Sequence, residues 1–200
     1  MDFFISSISF YNQAKKILAD IASKKFVLIG EDASSITTAI DLFIKENKFN
    51  IYEDLDKIAK ELADKVPVRP RSEGYCIKSS FGRKCPVNEF ACAMDECPNF
   101  CTSYHFSKIS YEKYRNWLEA MTINQKSGFL HEADRQRVRL IKLIEKRLIP
   151  ELLELRNEIN NNGIDFVLLE VQGIDDIAIN IEKIIMEVEA CLQKLTYQKS

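Results

Sequence analysis

Residues 67–104 form the part of this chain that most restricts its fold. They hold Pro67, Pro70, Pro86 and Pro98, the glycines Gly74 and Gly82, and five of the six cysteines, clustered from Cys76 to Cys101. Proline removes a backbone donor and stops helices. No helical or strand period runs through the segment. An aperiodic connection of this length inside a compact chain needs an internal cross-link or a function. Clustered thiolates supply such a link when a soft metal binds them.

The spacings are nine residues from Cys76 to Cys85, seven to Cys92, five to Cys97 and four to Cys101, with His105 four further on. None is a paired C-x-x-C knuckle. Gaps this short still let four sulfurs converge at about 2.3 Å from one zinc ion. The expected set is Cys76, Cys85, Cys92 and Cys97, with Cys101 or His105 able to replace one of them. An iron–sulfur cluster is the alternative, since it also takes four thiolates. Four or five thiolates read as a closed structural site, not a catalytic one with an open position.

Cations surround these cysteines. Lys65, Arg69, Arg71, Lys78, Arg83 and Lys84 meet only Glu73 between residues 65 and 84, and Tyr75 and Phe81 are interleaved. Positive neighbours lower thiol pKa values and favour the metal-binding thiolate. A basic loop bearing aromatics can also contact a phosphate backbone. The formal net charge of the chain is −2, so nucleic-acid contact is expected on a local patch, not over the whole surface.

The flanks read as helical, which gives a mainly α fold. Residues 1–66 form a helical N-terminal region, 67–106 the metal-stabilised cysteine-rich loop, and 107–200 long antiparallel helices. In the first region Ala14, Ile17, Leu18 and Ile21 share a face. Ile36, Ala39, Ile40 and Phe43 share another, with Asp32 as a cap. Asn50 and Glu53 resemble a capping box before Ile51, Leu55, Ile58 and Leu62. The run Phe26–Gly30 suits one isolated strand or a buried turn. Beyond residue 106 the stripes are Tyr114, Trp117, Leu118 and Met121, then Val138, Ile141, Leu148, Leu152, Leu155 and Ile159 with Ile144 beside them. Pro150 predicts a kink or a new helix start. Ile174, Ile177, Ile181, Ile184, Val188, Cys191 and Leu195 alternate three and four apart, as in a coiled coil. A hairpin packing its own core is favoured over a homodimer through these helices.

No apolar run is long enough to span a membrane. The N-terminus lacks the positive region and cleavage site of a signal peptide. The expected compartment is therefore the cytoplasm, where clustered cysteines favour metal over disulfides.

The phrases GYC at residues 74–76, CP at 85–86, FACA at 90–93 and CPNFCTS at 97–103 resemble the cysteine-rich tail of transposon and phage-type tyrosine recombinases (site-specific integrases). In those proteins the tail runs into long charged helices, similar in character to HEADRQRVRLIKLIEKRLIPELLEL here. The resemblance covers roughly residues 74–160. It implies a tail and not a working recombinase, because no H-x-x-R element occurs and no catalytic residue carries over. The function expected from the sequence is non-enzymatic: a DNA-associated accessory protein of a mobile element, zinc-bound, acting beside a recombinase or transposase. A zinc-stabilised protein-interaction module without nucleic acid, and an iron–sulfur redox protein, are the alternatives.

Overall fold

The computed structural model describes residues 2–66, 68–77, 97 and 99–197, with residues 2–10 described by backbone alone. It is mainly helical, with one small antiparallel sheet. Two compact units divide the chain, Met1–Thr102 and Ser103–Ser200.

The first unit contains α1 (Asp2–Ala22), α2 (Ala33–Glu46), α3 (Leu55–Lys65), β1 (Val68–Arg71), β2 (Gly74–Ile77) and β3 (Phe100–Cys101). Helix α1 packs on α3 and β1. Its expected face is buried: Ala14, Ile17, Leu18 and Ile21 meet a core completed by Phe26, Ile36, Ile40, Ile58, Leu62 and Ile77. Each fully buried aliphatic side chain contributes roughly 1.5–3 kcal/mol. The face of α2 is rotated from the expected one. Ala33, Ile36, Ile40 and Ile44 are buried, whereas Ala39 is exposed and Phe43 half-buried.

The expected capping box does not form. Asn50 Oδ1 accepts from the Tyr52 backbone N–H at 3.0 Å, and the Asn50 N–H donates to the Asp54 carboxylate at 2.9 Å. That local turn satisfies the polar groups before the helix starts, so α3 begins at Leu55. Ile29, in the run read as strand or turn, makes an isolated antiparallel bridge to Thr102.

The second unit holds α4 (Ser107–Lys126), α5 (Leu130–Leu143), a π-helical turn (Ile144–Leu148), α6 (Ile149–Asn162), α7 (Ile164–Glu170), α8 (Asp175–Ile179) and α9 (Ile181–Tyr197). Helix α4 ends in a glycine turn. Gly128 has φ +79°, its N–H donates to Gln125 O, and the Phe129 N–H donates to Asn124 O. This closes the helix C-terminus and returns the chain as α5 along α4. Pro150 lies in the first turn of α6. A proline there clashes with the carbonyl four residues back, and the wider π-helical turn before it relieves that crowding.

The buried stripe of α5 and α6 runs Leu140, Leu143, Ile144, Arg147, Leu148, Glu151, Leu152 and Leu155. Val138, expected inside, is 40% exposed. Arg147 and Glu151 occupy core positions one turn apart, with Nε 3.6 Å from Oε1. Arg147 Nη2 also donates to Ser110 Oγ of α4 at 3.0 Å. The isoleucine repeat near the C-terminus is divided between α8 and α9. Ile174, Ile177, Ile181, Ile184, Val188 and Leu195 are all buried within this chain.

Candidate metal centre

Part of the segment read as irregular is a three-stranded antiparallel sheet of order β1-β2-β3. The tight turn Ser72–Glu73 joins β1 to β2, which explains how a proline-bearing stretch still pairs: Pro70 sits on an edge strand. The cysteines at the two ends of the cluster lie on this sheet, Cys76 in β2 and Cys101 in β3. Cys97 stands just before β3, where its carbonyl accepts from the Phe100 N–H at 3.0 Å. The Ile77 N–H donates to Asn99 O at 2.9 Å, tying this turn to β2. Cys85, Cys92, Lys78, Arg83 and Lys84 lie outside the described residues.

Register assigns each cysteine a face. Cys76 pairs with Arg69 on one side and Phe100 on the other, and Tyr75 pairs with Cys101. Directly opposed residues project from the same side of a sheet, and successive ones alternate. Arg69, Arg71, Gly74, Cys76 and Phe100 therefore belong to one face. Val68, Pro70, Tyr75, Ile77 and Cys101 belong to the other, where Tyr75 stacks on Phe26 with ring centroids 5.8 Å apart. Gly74 is required on the first face. A Cβ there would stand 2.6 Å from the Phe100 Cζ and 2.5 Å from the Cys101 carbonyl oxygen.

The three described thiols have unlike surroundings. Cys76 and Cys97 are half-buried, whereas Cys101 is fully buried. Burial pushes the Cys101 thiol up to about 12, and negative charge on Asp32, Cys76 and Cys97 adds to the shift. Its sign keeps Cys101 protonated at neutral pH. Gly30 makes room for this side chain, since a Cβ at Gly30 would come 3.3 Å from the Cys101 sulfur. Among the described residues no group of three His, Cys, Asp or Glu side chains is already arranged around one point as metal ligands.

The cations separate in the same way. Arg69 is exposed directly beside Cys76. Arg71, two residues along that face, has its Nε buried with no hydrogen-bond partner among the described residues. Lys65 instead projects over the ring of Phe43, with Nζ 4.4 Å from the centroid. It borders a cleft of ≈ 380 Å³ lined by Ile36, Ile40, Leu62 and Ile77. His105 belongs to the second unit, with Nε2 3.7 Å from Glu170 Oε2 and Nδ1 3.2 Å from Ser103 Oγ. No strand period is visible in the sequence here because the strands hold only two to four residues. The dipeptide Ser72–Glu73 between two short runs was the one available hint.

Among the described residues no helix is long and apolar enough to cross a membrane. Compared with known proteins, the chain matches no family model, no curated protein and no solved structure.

Proposed function

We propose that the sheet is the described half of a structural zinc site in a non-enzymatic, DNA-associated accessory protein of a mobile element. The observation that carries this reading is the shared face of Cys76, Arg69 and Arg71. Cys76 and Cys97 supply two half-buried thiols at the point where the chain leaves the sheet and returns to it. Cys85 and Cys92 complete the set by their spacing. Four thiolates around a divalent ion make an anionic centre, and flanking guanidinium groups offset that charge and favour thiolate over thiol. Cys101 is left out, being fully buried and on the face opposite Cys76. Zinc then holds the ends of the segment, and Arg69 and Arg71, joined by Lys78, Arg83 and Lys84, meet phosphates, whereas Lys65 is turned over the Phe43 ring. Likeness to a recombinase tail supports a recombinase or transposase as the protein partner and the cytoplasm as the compartment. An iron–sulfur cluster would fit the same thiols, and visible absorbance of protein purified without air separates the two metals.

The test is duplex DNA binding over a salt series, with and without a strong chelator. The reading expects affinity to fall steeply as salt rises and to drop when metal is removed. Binding that is absent at low salt, or indifferent to both treatments, refutes the DNA role.

A further inference from the structure

Charge is sorted within the second unit. Residues 107–148 carry ten Lys and Arg against five Asp and Glu, and residues 149–200 carry four against ten. The positive excess is arranged on one side of one helix. Arg135, Arg139, Lys142 and Lys146 recur at intervals of four, three and four through α5 and the π-helical turn. That spacing keeps them on one helical face. Arg135, Arg139 and Lys146 are exposed and Lys142 is half-buried.

We infer that this face of α5 is a second contact for the phosphate backbone of duplex DNA, an inference that rests on the DNA reading above. Surface helices that are merely solvated interleave opposite charges one turn apart, as Lys183 and Glu187 do on α9. On α5 such interleaving is confined to the first half, where Glu132 pairs with Arg135 at 3.3 Å and Asp134 with Arg137 at 2.6 Å. Among the described residues Arg139 and Lys146 have no ion-pair partner. From residue 135 to 146 a helix rises about 16 Å. Duplex DNA presents one phosphate per about 3.4 Å along a strand, so the row can follow several phosphates. A membrane surface fits poorly. An interfacial helix inserts its apolar side, and the apolar side of α5 is buried through Ala133, Leu140 and Leu143.

The experiment compares the parent protein, the double variant Arg139→Gln/Lys146→Gln, and the control Glu145→Gln in duplex-binding salt titrations, with polyglutamate as competitor. Each lost phosphate contact lowers the slope of log K against log salt by about one. The inference expects the double variant to lose close to two units of slope, with affinity several-fold weaker at low salt and Glu145→Gln unchanged or tighter. An unchanged slope in the double variant overturns the inference, while binding by the parent protein leaves the DNA reading standing. No duplex binding by the parent protein removes both. Polyglutamate that displaces DNA from the parent protein but not from the double variant at equal charge concentration assigns the face to an acidic protein and also overturns it.

Discussion

Arg69 stands directly across the β1–β2 ladder from Cys76. The pairing puts a guanidinium on the sheet face from which that thiol projects, and Arg71 follows on the same side. A cation there stabilises the thiolate over the thiol. Arg69→Gln should therefore weaken zinc retention against a chelator, and Arg69→Lys should largely restore it. Competition with a chromogenic chelator reads this out; equal zinc release from all three proteins would refute the coupling.

Cys101 gives a pH dependence of the opposite sign to that of a metal ligand. Its folded pKa lies near 12, above the ordinary thiol value of 9.0. Below 9 the thiol is neutral in both folded and unfolded chains, so its contribution is fully present. Between 9 and 12 the unfolded chain ionises first and stability is lost, by up to about 1.4 kcal/mol per pH unit. Urea unfolding of metal-free protein and of Cys101→Ala should converge across that window. A stability difference that instead disappears as pH falls would mark Cys101 as a thiolate in the folded metal-free chain and contradict its burial as a thiol. Alkylation of metal-free protein should reach Cys76 and Cys97 before Cys101.

Gly74→Ala should open the sheet. The added methyl meets the Cys101 carbonyl, a backbone atom that cannot swing aside, and the Phe100 ring. Overpacking of this kind costs about 1–3 kcal/mol. Hydrogen exchange should show faster exchange at Ile77 and Thr102 with the amides of α5 unaffected. Unchanged protection at both would contradict the packing described.

The buried Arg147–Glu151 pair makes a prediction about the second unit. Arg147→Met removes the cation from a carboxylate that is fully buried. Breaking such a pair costs about 3–5 kcal/mol, and replacing both members by apolar residues restores much of it. Urea midpoints of Arg147→Met and of Arg147→Met/Glu151→Leu test this. Identical midpoints for the single variant and the parent protein would show that the pair is not held in the core.

The helices were readable because their buried positions recur at helical intervals, as Leu18 with Ile21 and Leu152 with Leu155 do. The pattern fails on α5 and α6 where polar chemistry replaces it. Val138 shares the helical stripe of Ile141 and Leu148 yet is exposed, while Arg147 and Glu151 take core positions through each other and Ser110, a pairing that hydrophobicity cannot reveal. The β-sheet was hidden by its brevity, and by Pro70, which argues against a strand unless that strand is an edge. At the candidate metal centre the clustering of the cysteines is plain in the sequence. Their faces are not, because the side from which Cys76 or Cys101 projects depends on register, and register is a long-range property.

The most direct measurement is zinc per chain in protein purified without air, for the parent protein and for Cys76→Ser, Cys97→Ser and Cys101→Ser. A closed four-thiolate site predicts about one zinc per chain in the parent protein and in Cys101→Ser, with marked loss in the other two. A parent protein without zinc, or loss of zinc in Cys101→Ser with retention in Cys76→Ser, would contradict the account.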